Sequence, residues 1–173
     1  MAIDNCPYSF DEIVSRRIPD LFRMLDAKRK QAMTSAVFLR PGNGYKRTPK
    51  ALGLDDDFKG CYVLFENGTP RYVGISKNVI KRIWNHFRAK NHHVSSLVYS
   101  VACKGNQIQG HYKTPKSEEY QEEFKKALTR VRKWMVIYQE ISDDVTLYLF
   151  EVYAAMRYDT GVNSGGFNSF ATH

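Results

Sequence analysis

The sequence predicts an α+β fold, with a small three-stranded antiparallel sheet flanked by helices and an N-terminal helical arm. Two β-prone runs separated by a short turn between residues 60 and 74 predict a hairpin. A third β-prone run, 134–140, lies between two segments with helical patterning and predicts a further strand. The 173 residues suffice for one domain, in which 1–58 form the arm and a loop and 59–173 form the main body.

The arm begins with residues 9–33, which have the pattern of a helix. Ser9 can cap its first turn, and Pro19 is expected to break or kink it because proline lacks a backbone N–H. Residues 40–59 contain several glycines and prolines and predict a loop. The run 55–57, three aspartates, is expected to face solvent rather than to hold a metal ion.

The hairpin and the helix after it are the centre of the predicted fold. Residues 61–65 (CYVLF) form its first strand, 66–68 (ENG) its turn, and 71–73 begin a return strand that ends at Gly74. From Ser76, the expected N-cap, the spacing becomes helical. The apolar stripe of this helix consists of Val79, Ile80, Ile83, Trp84 and Phe87.

The C-terminal half predicts two helices, one strand and a further segment, 94–103, that fits a strand or a helix and that we interpret as a helix. A short apolar segment and a polar loop precede a helix that Ser117 can cap, with acidic residues in its early turns and basic residues in its later ones. A strand and a last helix follow. The predicted bounds are 94–103 for the first helix, 104–115 for the loop, 117–132 for the second helix, 134–140 for the strand and 142–158 for the last helix.

Charge and cysteine content point to a class of partner and to a compartment. The net charge is +8, and the interval between Glu66 and Glu118 contains nine Lys or Arg residues, four of the five histidines and no acidic residue. A surface of this kind suits a polyphosphate partner, so we expect binding to nucleic acid. The candidate contacts are Lys77, Lys81, Arg88, Lys90, Lys104 and Lys113.

Three widely spaced cysteines form neither a disulfide framework nor a zinc ligand set, which indicates a reducing compartment, expected to be the cytoplasm. No apolar run has the length of a membrane span, and the first residues lack the pattern of a secretion signal. The sequence therefore predicts no membrane partner.

Polar side chains suited to phosphate chemistry are expected to converge beside the hairpin. Tyr62 and Tyr72 lie on paired strands, while Arg82 and His86 are four residues apart and share one face of the next helix. Glu151 is the one charged residue between positions 145 and 156, in an otherwise apolar helix. A carboxylate there is costly unless it is paired, so it either forms an ion pair with the first helix or binds a cation.

This layout resembles the GIY-YIG nuclease family. Gly60-Cys61-Tyr62 occupies the place of GIY and Tyr72-Val73-Gly74 the place of YIG, with ten residues from Tyr62 to Tyr72 and ten more to Arg82. His86 stands where the family has His or Tyr. The resemblance covers residues 60–168 and implies that Glu151 is the metal ligand and that Asn163 completes the site.

The departures from the family pattern are few. Cys61 replaces the middle Ile on the strand face opposite Tyr62, and Val73 replaces Ile. Ile75 stands where some members carry a lysine, so any help from that lysine in proton transfer is missing or comes from Lys77 or Lys81.

The resemblance implies a metal-dependent endonuclease that hydrolyses DNA with a single Mg²⁺ or Mn²⁺ on Glu151. Tyr62 is the preferred general base with His86 relaying the proton, although the assignment between the tyrosines stays open. Tyr72 would position water or phosphate, Arg82 would stabilise the phosphoryl charge, and Asn163 would orient phosphate or fix the helix of Glu151.

RNA stays open as the substrate, and two other classes of function remain. The first is a nucleic-acid-binding module that keeps the fold without cleaving, and the second is a structural or interaction domain with Glu151 in an ion pair. By analogy of size, the chain fits a stand-alone nuclease of the restriction or phage-associated type. Cutting both strands with one site per chain would require a homodimer or sequential nicks.

Overall fold

The computed structural model describes residues 6–105 and 117–170 and has the predicted α+β class. The strands in this part of the chain are β1 (Met33–Thr34), β2 (Gly60–Glu66), β3 (Thr69–Ser76) and β4 (Met135–Glu140). They form one antiparallel sheet in the order β1-β4-β2-β3. The prediction of three strands was wrong, because β1 pairs with β4. A two-residue strand is too short to show an alternating pattern.

The helices of the described residues surround this sheet. They are α1 (Phe10–Glu12), α2 (Ile18–Ala27), α3 (Ala36–Leu39), α4 (Thr48–Ala51), α5 (Val79–Phe87), α6 (Ser96–Gly105), α7 (Glu118–Val131) and α8 (Asp144–Arg157). The last four and β4 confirm the predicted elements, and Ser117 caps α7 by accepting from the backbone N–H of Tyr120. The predicted loop 40–59 was wrong in part, because it contains α4. Most of the predicted loop 104–115 lies outside the described residues.

The N-terminal helical segment is continuous from residue 10 to residue 31 and changes type three times. A π-helical turn, Ile13–Arg17, joins α1 to α2, and a 3₁₀ turn, Lys28–Gln31, ends the segment. The Ser9 hydroxyl accepts a hydrogen bond from the Glu12 N–H, which confirms the predicted cap. The predicted break at Pro19 does not occur, because the chain stays helical there. Pro19 lies at the start of α2, directly after the π-helical turn.

The hairpin confirms the predicted turn, with Asn67 and Gly68 both at positive φ. However, β3 does not end at Gly74 but continues to Ser76. The predicted Ser76 cap of α5 was also wrong, because the Ser76 hydroxyl exchanges hydrogen bonds with Asn78 outside the helix. The side chain of Asp57 caps α5 instead and does not face solvent freely: its carboxylate accepts from the N–H groups of Ile80 and Lys81 at 2.8 and 2.9 Å.

Strand β2 is buried on both faces, which explains its continuous apolar run. Tyr62 and Leu64 face α5, α6 and α7, and we call this side of the sheet the α5 face. Cys61, Val63 and Phe65 face α2 and α8, and we call that side the α8 face. Within residues 6–105 and 117–170 no helix has the length and apolar content to span a membrane.

Candidate active site

Two glycines allow the strands of the site to approach closely. Gly74 pairs with Tyr62 across the hairpin, and a Cβ atom at this position would collide with the rings of Tyr62 and Tyr72. A Cβ atom at Gly60 would collide with the backbone of Gln139 in β4. The first glycine therefore makes room for the tyrosine ring, and the second allows the neighbouring strand to pair.

A buried hydrogen-bonded chain joins β2 to α5 and α6. The hydroxyl of Tyr62 lies 2.7 Å from Nε2 of His86, and Nδ1 of His86 lies 2.7 Å from the hydroxyl of Ser95. All three residues are fully buried. We call this the Tyr62–His86–Ser95 relay.

The direction of the hydrogen bonds follows from counting donors. The Ser95 oxygen already accepts a hydrogen bond from the N–H of Val98. Among the described residues, the acceptor for the hydroxyl proton of Ser95 is Nδ1 of His86. Burial, with a smaller contribution from the charge of Arg82, lowers the pKa of His86 to about 3, so the ring is neutral. With Nδ1 accepting, its single proton sits on Nε2 and is donated to the oxygen of Tyr62.

The two tyrosines differ in access to solvent. Tyr62 is fully buried, whereas Tyr72 lines a cleft of about 320 Å³ that opens beside β3. Burial raises the pKa of Tyr72 and raises that of Tyr62 well above its usual range, while the guanidinium of Arg82 opposes both increases. Only one of the two predicted tyrosines therefore reaches the cleft.

Glu151 lines the same cleft from α8. Burial raises the pKa of its carboxyl group, and within the described residues it forms no ion pair or hydrogen bond. The alternative of an ion pair with the first helix is thus not observed in this part of the chain.

The donor set of this cleft fits a partly hydrated hard cation. Glu151 supplies an unpaired, partly desolvated carboxylate oxygen, which is the type of ligand that Mg²⁺ takes. No group of three or more His, Cys, Asp or Glu side chains that could hold a metal ion occurs among residues 6–105 and 117–170. An ion at Glu151 would therefore need water and substrate oxygens as its other ligands.

Arg82 is half-buried on α5, where its Nη1 is 3.5 Å from the carbonyl oxygen of Val94. Its charge and its hydrogen-bonding capacity lower the pKa of both Tyr62 and Tyr72, and it lies one helical turn before His86, which bonds the Tyr62 hydroxyl. The structure thus brings Tyr62, Tyr72, Arg82 and His86 together, with Glu151 across the cleft from α6.

The predicted asparagine, Asn163, is not among the residues that line the cleft. Asn163 is exposed on a 3₁₀ turn, Val162–Ser164. Asn168 is buried instead, and its side-chain amide bonds both the N–H and the C=O of Val73 at 2.8 Å. Asn168 therefore continues the edge of the sheet next to Tyr72 and lines the same cleft.

The basic residues predicted to contact nucleic acid have different environments. Arg88 donates to the carbonyl oxygens of Phe38 and Arg40, and Lys104 donates to those of Val162 and Gly166. These two cations thus support the fold. Lys77, Lys81 and Lys90 are exposed. Lys113 lies outside the described residues.

Sequence reasoning missed Ser95 and Asn168. Ser95 precedes a helix, where a serine ordinarily signals an N-cap, and it does bond Val98 in that role. Asn168 lies two residues after the Gly165-Gly166 pair, a pattern that predicts a loop, and no neighbouring residue in the sequence distinguishes it from Asn163 as a site residue. The partner of Ser95 lies nine residues away on the preceding helix, and that of Asn168 lies 95 residues away.

Comparison of the chain with protein-family models, with curated proteins and with solved structures gave no match.

Proposed function

We propose that the chain is a metal-dependent endonuclease of GIY-YIG-like fold that hydrolyses phosphodiester bonds in DNA. The observation that carries the proposal is the cleft lined by both Tyr72 and Glu151, with Arg82 next to the phenol. A base, a hard-oxygen ligand and a bidentate cation are the groups that hydrolysis of a phosphodiester requires.

In this proposal Tyr72 accepts the proton of the attacking water, because Tyr72 and not Tyr62 reaches the cleft. Tyr72 must first lose its own proton to solvent, because only the phenolate can take the proton of the attacking water. The charge of Arg82 and the hydrogen bond of the Tyr62 hydroxyl favour that loss by lowering the pKa of Tyr72, whereas burial opposes it. The relay supplies the orientation: with His86 donating to the Tyr62 oxygen, the Tyr62 hydroxyl proton is free to point towards Tyr72.

Arg82 stabilises the charge that develops on the phosphoryl oxygens through its planar set of N–H donors. Glu151 would hold Mg²⁺ or Mn²⁺, which supplies polarisation of the phosphate and stabilisation of the leaving oxygen when bound. Asn168 holds the β3 backbone on either side of Val73 and so keeps Tyr72 in place.

The test is incubation of supercoiled plasmid with the purified chain, with Mg²⁺ or with a chelator, followed by gel analysis. We expect nicking that requires the metal and is lost in Glu151→Gln. The control variant Glu119→Gln removes an exposed carboxylate from α7 and should retain activity. Absence of cleavage by the wild-type chain with Mg²⁺ and with Mn²⁺, on DNA and on RNA, would contradict the proposal.

The second candidate is a nucleic-acid-binding module that does not cleave. It is favoured by the raised pKa of both phenols, which leaves them protonated at neutral pH before any cation binds. Binding to the plasmid without nicking would select this function. Linear products that form without a nicked intermediate would indicate a homodimer, and accumulation of nicked circles would indicate sequential cuts.

A further inference from the structure

A second cleft lies at the other end of the hairpin. It has a volume of about 540 Å³ and opens between the hairpin turn and the C-terminal half of α7. We call it the hairpin-tip cleft; it is lined by Glu66, Asn67, Thr129, Trp134 and four cations, Lys125, Lys126, Arg130 and Lys133. The four cations lie outside the basic interval that the sequence singled out.

The charge of the hairpin-tip cleft is strongly positive. Four cations and one carboxylate line it, so the formal sum is +4 − 1 = +3. The carboxylate, Glu66, is already engaged: it accepts from Arg130 at 2.5 and 2.7 Å and from Arg71 at 3.0 Å. The hydrogen bonds from Arg130 in particular lower the pKa of Glu66, which keeps it ionised.

Two of the cations have no protein anion to neutralise them. Lys126 pairs with Glu123 at 2.7 Å, whereas Lys125 and Lys133 are exposed and form no ion pair with any described residue. They lie eight positions apart, Lys125 in the middle of α7 and Lys133 two residues after its end, and both residues line the cleft.

A buried donor without an acceptor also belongs to the hairpin-tip cleft. Trp134 is 1% exposed, and its indole N–H makes no hydrogen bond within the described part of the chain. It lies close enough to Glu66 to lower the pKa of that carboxyl group, but it does not bond it. A buried N–H of this kind costs free energy unless a ligand supplies an acceptor.

The position of the cleft relates it to the candidate active site. Tyr72 of the candidate active site pairs with Leu64 of β2, and Glu66 of the hairpin-tip cleft pairs with Thr69. Leu64 and Glu66 are two residues apart, which is about 7 Å along the strand at the usual rise per residue. Tyr62 and Glu66 are four residues apart on β2 and therefore point to the same side of the sheet, the α5 face. A nucleic-acid backbone can therefore pass both sites.

We propose that the hairpin-tip cleft binds a phosphodiester of a nucleic-acid duplex, with Lys125 and Lys133 neutralising the backbone and Trp134 donating to a phosphate oxygen. The ligand follows from the chemistry of the cleft: several cations, an N–H donor and an open shape. The inference goes beyond the proposed function, because binding here requires no cleavage.

The experiment measures binding of a labelled DNA duplex and of an RNA duplex of the same sequence to the full chain, with a chelator present, as a function of salt. In Lys125→Gln/Lys133→Gln, loss of two phosphate contacts should reduce the slope of log affinity against log salt by about 1.8. The matched control Arg23→Gln/Lys30→Gln removes two exposed charges from the α2 side, on the opposite face of the sheet, and should leave the slope near the wild-type value. The duplex whose slope changes identifies the nucleic acid.

Trp134→Phe keeps an aromatic side chain, although a smaller one, and removes the N–H, and should weaken binding by about threefold to tenfold. An unchanged slope in the double lysine variant, an equal change in the control variant, or no binding of either duplex by the wild-type chain would each overturn the proposal. Cleavage is absent from this assay. If the wild-type chain cuts plasmid but the double lysine variant keeps the wild-type salt slope, only the proposal for the hairpin-tip cleft is refuted. If the wild-type chain never cuts but the variant has a reduced salt slope, only the proposed nuclease function is refuted.

Discussion

The α5 face and the α8 face of the sheet are both well buried, but they differ in the chemistry that they enclose. On the α8 face, Cys61, Val63 and Phe65 pack against apolar side chains of α2 and α8. On the α5 face, the same strand buries the hydroxyl of Tyr62, which bonds the buried His86. Burying such polar groups costs free energy that an apolar core would avoid. We infer that the apolar strand residues of the α8 face serve stability and that the polar groups of the α5 face are retained for function, while α8 itself contributes Glu151 to the cleft beside β3.

The largest expected effect tests the α5 face through activity. Arg82→Lys keeps the charge but loses the planar set of donors, so we expect cleavage to slow by about 10²–10³-fold while duplex binding changes little. Rates of plasmid nicking and duplex affinities measure the two quantities. Arg47→Lys is the control, since Arg47 is exposed on a loop and should tolerate the change. Near-normal turnover of Arg82→Lys would reduce Arg82 to a general phosphate contact.

The second prediction is that pH acts on the α5 face. The pKa of His86 falls from its ordinary 6.5 to about 3 on folding, mainly through burial. Between these pH values the unfolded chain binds more protons at this position than the folded chain does. The free energy of unfolding is therefore undiminished by His86 above pH 6.5 and decreases as pH falls from 6.5 towards 3. The contribution is of order a few kcal/mol. Denaturant unfolding between pH 7 and 5 should show a shallower loss in His86→Gln, and identical slopes would contradict the prediction.

On the α8 face the expected effect is one of stability. Val63 is fully buried there, and Val63→Ala removes two methyl-sized groups. We expect a loss of about 2 kcal/mol in the free energy of unfolding from lost transfer energy and the cavity. Nicking by the folded variant, measured well below its unfolding temperature, should stay within about twofold of wild type. A large loss of activity at full folding would break the proposed division between the faces.

The smallest expected effect concerns the end of the relay. Ser95→Ala removes the donor to Nδ1 of His86, which frees the ring to adopt the other tautomer and weakens the orientation of Tyr62. We expect nicking to slow by about tenfold, with partial recovery in Ser95→Thr, which restores the hydroxyl. In Ser95→Ala the ring proton of His86 should move from Nε2 to Nδ1, which NMR of the ring nitrogens detects. A purely structural role would lower stability in both variants without that movement.

The sequence by itself determined the elements whose cause is local. The apolar run 61–65 and the turn at Asn67-Gly68 are sufficient for the hairpin, because positive φ at both turn residues suits the twist of the strands. The caps Ser9 and Ser117 act on amides three residues ahead, and both were predicted. The pairing of β1 and the cap of α5 by Asp57 were not predictable in this way, because their partners lie 101 to 103 residues and 23 residues away along the chain.

The roles within the candidate site also divide along this line. Residue types and spacing were enough to select Tyr62, Tyr72 and Arg82, since chemistry depends on the functional groups. Only the tertiary structure decided which tyrosine meets the cleft. The order β1-β4-β2-β3 places Tyr62 on an inner strand, covered on both faces, and Tyr72 on the edge strand β3, beside Glu151 and Asn168. Strand order depends on how distant segments pair, and no local pattern in the sequence records it.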